Sequence, residues 1–278
     1  MDIQLRLAEN KKAVDAAIDK WIPKHLDEKK LEAILGKPRY AYDVGTAEKA
    51  VHALLWDLLD RGGKRWRPAL LVWTSQALGY PGDPADFAVI PEVIHNGTLG
   101  VDDVEDQSAL RRGQPTLHVK YGIDLAVNAS NAMYFLPLVV LMRHPELSNK
   151  TRARMYQIVT QEMINLSYGQ GFDIFWHKGL ASDVSEEQYL QMCAYKTGTL
   201  SRMAARLGAA LAEASERKER VVGEFAETLG VAFQIQDDIL NLFPPKDTWG
   251  KTLGEDITEG KRTLLVIRAL KRLRKKDA

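Results

Sequence analysis

The stretch AEKAVHALLWDL, residues 47–58, places Ala47, Ala50, Val51, Leu54, Leu55 and Leu58 at i, i+3, i+4, i+7, i+8 and i+11. That period lays one apolar stripe along one face of a helix. Working outward, a more polar helix is expected at the N-terminus from Leu5, Ala8, Lys12, Asp15, Ala16 and Asp19. Further helices are expected over roughly 67–78, 85–106, 124–143, 150–176, 186–214 and 217–243. Short Gly, Pro, Asp and Ser punctuation separates them, such as YPGDP at 80–84 and Lys178-Gly179. Alternating β-branched runs bounded by hairpin turns are missing. No linker or repeat divides the chain, so residues 1–278 read as one all-α domain with a helical-bundle core.

Composition narrows the function classes. The 278 residues carry 38 Lys plus Arg against 37 Asp plus Glu, a formal charge of +1. A general nucleic-acid binder or anionic-membrane binder would need a basic surplus. The single cysteine, Cys193, rules out an internal disulfide framework and a thiolate metal cluster, and reads as a core residue. The longest apolar run, residues 132–142, has eleven members and is broken by Pro137, whereas a membrane-spanning helix needs roughly 20. Residues 1–20 have no secretory core. The expectation is a cytoplasmic protein that neither spans a membrane nor binds nucleic acid.

Two acidic clusters carry the chemistry. In DDVED, residues 102–106, Asp102 and Asp106 stand at i and i+4 and share a helix face, with Asp103 turned about 100° away. Four acids in five positions repel one another, so the face favours cations. Alone it also fits a solvated helix face. The second cluster, FQIQDDILN at 233–241, repeats the spacing with Asp237 and Asp238, and has Asn241 where a third Asp would stand. Gln234 lies three residues earlier on nearly the same face, and Phe233, Ile235, Ile239 and Leu240 make a fully solvated helix uncomfortable. Without His/Cys ligand spacing, such clusters suit a hard ion. Mg²⁺ is typically held by one or two carboxylates together with substrate phosphates and water, so the acids imply a phosphorylated substrate.

The matching donors come in compact groups. GGKRWRP at 62–68 ends one helix at glycines and starts the next near proline. Arg111-Arg112-Gly113 follows the first acidic cluster and reads either as an anion clamp or as a helix C-terminal charge cap. Tyr195-Lys196-Thr197-Gly198 and the Gly-rich region 250–261 add further donors, but no nucleotide P-loop is present. His95, seven residues before Asp102, lies on its face; a lone helix histidine is most often structural.

Taken together, GGKRWRP (62–68), DDVEDQSALRRGQPTLH (102–118), GQGFDIFW (169–176), KTG (196–198), FQIQDDILNL (233–242) and GKTLGEDITEGKRTL (250–264) resemble the trans-isoprenyl diphosphate synthases. Within that family, DDVEDQSALRRG, AVNASNAMYFL (126–136), GQGFDIFW and DDILNL are most similar to the geranylgeranyl diphosphate synthases of eukaryotic type, which share Asn241. The resemblance implies an isoprenoid-synthase helical bundle around a deep central pocket, and a homodimer. It also implies prenyl transfer from allylic diphosphates to isopentenyl diphosphate, with three Mg²⁺ per active site. By resemblance, Asp102, Asp103, Asp106, Asp237 and Asp238 hold the metal. Arg111, Lys196, Thr197, Gln234 and Lys251, with Lys261 nearby, contact the allylic diphosphate. Lys64, Arg67, His95 and Arg112 hold the isopentenyl diphosphate.

Product length is expected to follow from where the first bulky side chain meets the growing tail. Gly97 and Thr98 are small and leave a channel open below the first acidic cluster, and Tyr134 and Phe135 form its floor, for a geranylgeranyl product. On this reading Gly97→Phe shortens the product. Two features depart from the family pattern: the sequence ends at Ala278, before several helices usual in the family, and Leu265 stands where proline is common. A non-catalytic regulatory subunit and a terpene cyclase are the rival readings. Retention of both acidic pairs speaks against the first. A second set of anion donors, Lys64, Arg67 and Arg112, speaks against the second.

Overall fold

The segment 85–105 explains the centre of the first half of the molecule. In the computed structural model, which describes residues 2–181, 183–244 and 254–274, it forms a single helix with Phe87, Ala88, Val89, Ile90, Val93 and Ile94 wholly buried. A helix apolar on all sides needs neighbours on all sides, and burying each of these large side chains stabilises the fold by about 1.5–3 kcal/mol.

The chain packs as two compact units, Met1–Tyr156 with Leu207–Ala214, and Gln157–Arg206 with Ser215–Ala278. Unit 1 contains α1 (Ile3–Trp21), α2 (Glu28–Leu35), α3 (Val44–Ala47), α4 (Ala53–Asp60), α5 (Trp66–Ala77), α6 (Ala85–Glu105), α7 (Leu117–Tyr121), α8 (Ile123–Phe135) and α9 (Val139–Arg143). Its core forms where α6 packs against α8, α1 and α5. The closest approach is α6 on α8. A Cβ built on Gly97 would stand 2.8 Å from both the Ser130 carbonyl oxygen and the Met133 Cβ, and one on Gly100 would strike the Ser130 hydroxyl. Only glycine lets the two backbones come that near.

The stretch at 47–58 is helical, as its period predicts, but not uniformly α. A wide π turn over Glu48–His52 separates α3 from α4. Within it, Glu48 accepts the Leu26 N–H at 2.6 Å, and His52 Nδ1 meets the Pro23 carbonyl at 2.8 Å. Both side chains of the wide turn therefore serve the preceding loop, while Leu54, Leu55 and Leu58 go to the core. The expected helix over 124–143 is also interrupted. Pro137 has no N–H to continue the ladder, and a 3₁₀ turn, Leu136–Leu138, divides α8 from α9. By length and composition alone, Ile123–Arg143 would be long and apolar enough to cross a membrane; here 44% of its most apolar window is buried inside the protein.

Arg111-Arg112-Gly113 does not cap a helix. β1 (Leu110–Arg111) and β2 (Gln114–Pro115) form a small antiparallel hairpin, paired Leu110 with Pro115 and Arg111 with Gln114. Its loop residues, Arg112 and Gly113, have φ of 54° and 75°, the doubly left-handed form that suits a two-residue hairpin.

Unit 2 contains most of α10 (Asn149–His177), α11 (Glu186–Cys193), most of α12 (Thr199–Leu211), α13 (Glu216–Leu242), α14 (Glu255–Thr258) and α15 (Leu264–Arg274). Ser185 and Gln188 make a reciprocal capping box at the start of α11. The expected single helix over 186–214 is broken by a second π turn, Ala194–Gly198. Tyr189, Met192, Cys193 and Ile267 form the apolar centre, with Trp176, Val231, Ile235 and Leu264 against it. Burial pushes the Cys193 thiol up to about 12, so it stays protonated and inert, as a core cysteine should. A second, polar centre surrounds Glu162, which is wholly buried and accepts hydrogen bonds from Arg202, Arg206 and Thr199.

Candidate active site

In unit 1 the acidic cluster sits on the last turn of α6. Asp103 is wholly buried, and its Oδ1 accepts from Arg111 Nε at 2.8 Å and Nη2 at 2.5 Å. The hairpin delivers that guanidinium, which also lies 3.6 Å from Asp102. Burial holds the Asp103 carboxyl above its usual range, with Arg111 opposing. Its other oxygen, Oδ2, is buried and has no hydrogen-bond partner, so one more donor or cation could be received there. Asp102 and Asp106 are half-buried, one helical turn apart.

The basic groups of unit 1 converge around His95. The loop from α4 to α5 is pinned by Arg65, which lies within the quoted GGKRWRP segment. It is buried in the left-handed conformation at φ 51°. Its guanidinium donates to Glu92 at 2.6 Å, Asp15 at 3.0 Å and the Leu59 carbonyl at 3.0 Å. This clamp positions the next helical turn, where Arg67 Nη1 meets His95 Nε2 at 3.2 Å and the Arg67 guanidinium stacks on Trp66 at 4.6 Å. Burial pulls Arg67 down to about 10, with Glu92 opposing, so it remains charged at neutral pH. Burial, reinforced by Arg67, Arg112, Arg111 and Arg65, drives His95 well below its ordinary value, so its ring is neutral.

A neutral ring whose Nε2 accepts from Arg67 carries its proton on Nδ1. That Nδ1 and the Arg67 Nε are both buried and both lack partners. Two unpaired buried donors beside several guanidiniums could receive an anion. Arg112 stands by Gly63 and donates to the Gly62 carbonyl, while Lys64 is exposed.

The expected channel residues behave differently. Gly97 faces the α8 backbone, with no room on that side for even a methyl group, so it does not line an open shaft there. Phe135 is 70% exposed and closes nothing within unit 1. Tyr134 approaches the Gly97 position to 3.2 Å, and burial raises its hydroxyl pKa, with Glu105 and Asp102 adding to the effect. Thr98 is half-buried, with its hydroxyl donating to the His95 carbonyl at 2.7 Å.

In unit 2 the wide turn Ala194–Gly198 carries Lys196 and Thr197. Two close approaches place it. A Cβ on Gly169 would strike the Lys196 backbone nitrogen, and one on Gly230 would stand 2.6 Å from the Gly198 Cα. Lys196 Nζ therefore reaches Asp173 at 2.5 Å, and the Thr197 hydroxyl donates to Gln234 Oε1 at 2.6 Å. The Gln234 amide nitrogen donates to Asp238 Oδ1 at 2.9 Å, and the Tyr189 hydroxyl donates to Asp238 Oδ2 at 2.5 Å. Asp238 is accordingly buried, each of its oxygens already accepting one hydrogen bond; Asp237 beside it is half-buried. Asp173 and Tyr189 were not singled out from the sequence. Asp173 lies within the quoted GQGFD segment, whereas nothing near Tyr189 signals its bond to Asp238 across 49 residues.

Asn241 does not stand in for a third acidic ligand. Its side-chain oxygen accepts the Asp256 N–H at 3.3 Å and its carbonyl accepts the Gly254 N–H at 3.0 Å, so it clips the chain leading to α14. Lys261 pairs with Glu259 at 2.7 Å and lies 3.7 Å from Asp256. Lys251 lies outside the described residues.

Among the described residues, no three or more His, Cys, Asp or Glu side chains converge as a ready-made metal cage. The donor set still fits Mg²⁺, which needs only one or two protein carboxylates when substrate oxygens and water complete its octahedron. The open Oδ2 of Asp103 and the half-exposed Asp102, Asp106 and Asp237 are all hard oxygen donors of that kind.

Comparison with known proteins gives a consistent result. Residues 48–278 match the family model described as polyprenyl synthetase. The chain is 38% identical over 217 residues to a geranylgeranyl diphosphate synthase of Sulfolobus acidocaldarius, an alignment that spans 77% of this chain and 65% of that protein. It is 32% identical over 260 residues to the geranylgeranyl diphosphate synthase of Methanosarcina mazei, spanning 93% of this chain and 73% of the relative. The crystal structure of geranylgeranyl pyrophosphate synthetase from Pyrococcus horikoshii superimposes with a TM-score of 0.79 at 29% identity, covering 96% of this chain and 75% of that one. The chain thus spans about two thirds to three quarters of the length of these relatives.

Proposed function

The chain belongs to the polyprenyl synthetase family, and from that premise we propose that it is a trans-isoprenyl diphosphate synthase. It joins an allylic diphosphate to isopentenyl diphosphate, and geranylgeranyl diphosphate is its product. The observation that carries this reading is the pair of buried, unpartnered donors on Arg67 and His95. A protein that only ionised one diphosphate would have no use for a second, separately built anion receptor.

The residues divide by task. Arg67, His95, Arg112 and Lys64 bind the diphosphate of isopentenyl diphosphate. Lys196, Thr197, Gln234 and Arg111 bind the allylic diphosphate, with Lys251 and Lys261 as further contacts. Asp102, Asp103, Asp106, Asp237 and Asp238 are the Mg²⁺ ligands, three ions in all. Members of this family depend on Mg²⁺, which supplies positive charge against the diphosphate as it leaves.

The bond from allylic carbon to oxygen breaks with its electron pair going to the diphosphate. In this reading the cations of Arg111 and of Lys196 each favour that charge more in the transition state than in the ground state. The double bond of isopentenyl diphosphate then attacks the allylic carbon, and a proton leaves the adjacent carbon. No general base is evident in the motifs, and the departed diphosphate is the acceptor. Thr98 and Tyr134 are the chain-length residues. One domain that includes both units, a homodimer and a cytoplasmic location without membrane spanning complete the proposal; the family match extends over both units.

Incubation of the isolated chain with Mg²⁺, isopentenyl diphosphate and farnesyl diphosphate, followed by product sizing, tests it. A C20 diphosphate is expected. Absence of any condensation would favour a non-catalytic regulatory subunit.

A further inference from the structure

Within unit 2, four side chains form a hydrogen-bond chain whose direction is fixed at one end. Asp238 is 5% exposed and Tyr189 is 1% exposed. A carboxylate has no proton to give, so the Tyr189 hydroxyl and the Gln234 amide nitrogen must both donate to it, at 2.5 and 2.9 Å. With its nitrogen committed to Asp238, the Gln234 amide turns its oxygen toward Thr197, and the Thr197 hydroxyl donates to it at 2.6 Å. Thr197 adjoins Lys196, whose ammonium reaches Asp173 at 2.5 Å. Each link thus fixes the next, from Tyr189 in the core to the π turn Ala194–Gly198.

The Tyr189 ring and hydroxyl do separate work. The ring packs in the apolar cluster with Met192, Cys193 and Ile267, and a phenylalanine would fill that space equally. The hydroxyl alone donates to Asp238 Oδ2. Stripped of that donor, the buried carboxylate would rotate to recover a partner, releasing the Gln234 amide. Partners of this indirect kind typically change metal affinity or activity about 10- to 100-fold when removed.

We propose that Tyr189 is a positioning residue for the half-site that receives the allylic diphosphate with its Mg²⁺, acting through Asp238 on Gln234 and Thr197. The inference rests on the prenyltransferase reading above. It adds to that reading a residue that never meets substrate yet sets the orientation of two that do.

The test compares Tyr189→Phe with the unaltered chain. Three quantities are measured: KM and kcat for farnesyl and isopentenyl diphosphates, affinity for inorganic diphosphate with Mg²⁺ by calorimetry, and the thermal midpoint. Expected is a fall of about tenfold or more in kcat/KM for farnesyl diphosphate and in Mg-diphosphate affinity, with KM for isopentenyl diphosphate and the midpoint little changed. Unchanged Mg-diphosphate affinity would overturn the proposal. So would a loss shared equally by both substrates alongside a lowered midpoint, the mark of a purely structural tyrosine. If Tyr189→Phe does not fold, Thr197→Val and Thr197→Ser read the other end of the chain. Val should reproduce the loss and Ser should restore affinity; equal behaviour of the two would refute the directed chain. If the unaltered chain makes no prenyl product, the proposed function fails, whereas a normal wild type matched by Tyr189→Phe sinks only this inference.

Discussion

The crossing of α6 over α8 makes a sharp prediction for Gly97→Ala. A Cβ there would meet the Ser130 carbonyl oxygen and the Met133 Cβ at 2.8 Å, and ordinary contact begins near 3.4 Å. The helices would have to part by about 0.6 Å, the difference between those figures. Neither neighbour can move aside, because one is backbone and the other is the root of a side chain. Overpacking of this kind costs about 1–3 kcal/mol, against which alanine's better helix propensity returns about 1 kcal/mol. A net loss of about 1 kcal/mol is expected, roughly 2–4 °C in thermal midpoint for a protein of this size. Gly171 on α10 supplies the control, since nothing lies within 4 Å of a Cβ built there. Gly171→Ala should therefore stabilise by about 0.5–1 kcal/mol. Urea and thermal unfolding of both variants decide the matter. If Gly97→Ala stabilises as much as Gly171→Ala, the close helix crossing is wrong. The same geometry revises what Gly97→Phe should do: it drives the helices apart and lowers the yield of folded protein, instead of trimming the product.

Steric control of product length is better tested at the half-buried Thr98; Thr98→Phe is expected to give shorter prenyl products, and an unchanged C20 product would remove Thr98 from the channel. Arg67→Ala should raise KM for isopentenyl diphosphate about 10- to 100-fold, since a hydrogen bond to a charged group is worth about 1.5–3 kcal/mol. It should leave the farnesyl diphosphate KM near wild type, and an equal rise in both would remove Arg67 from a dedicated site. Chelation of Mg²⁺ should abolish condensation without loss of helical circular dichroism; surviving turnover in excess chelator would contradict the metal requirement. Glu162 in unit 2 is held below its usual range by Arg202, Thr199 and Arg206, which together outweigh its burial. A depressed carboxyl stabilises fully above its unfolded value and loses that contribution as pH falls through the folded one. Stability should therefore decline on acidification below about pH 4.5. Glu162→Gln should remove that dependence at a cost of about 3 kcal/mol, and an unaltered acid limb in urea titrations would count against it.

Much of the fold was legible because its helices bury one face at a time. The periods over 67–78, 85–106, 150–176 and 217–243 fall within a residue or so of α5, α6, α10 and α13. The failures share a cause. Each π turn is set by partners elsewhere, His52 by the Pro23 carbonyl and Lys196 by the close approach of Gly169, and no local period reports such a neighbour. Arg111-Arg112-Gly113 stayed open between two readings because a basic pair before glycine suits a helix end as well as a hairpin loop. In the site, Asp102 and Asp106 stand out through the i, i+4 spacing, although that spacing alone also fits a solvated helix face. Arg65, Asp173 and Tyr189 do not, because their partners lie 27, 23 and 49 residues away.

The widened turn at Ala194–Gly198 holds one residue more than an α-helical turn would. Excising a single position there would restore an unbroken helix, yet everything downstream would swivel by about 100°. Arg202 and Arg206 would then swing off the buried Glu162 that now accepts from both. The irregularity is therefore a phase adjuster. It lets one continuous run of chain point Lys196 and Thr197 at their partners and still meet a buried carboxylate two turns later, so insertions or deletions of one residue in this stretch should be selected against more strongly than most substitutions.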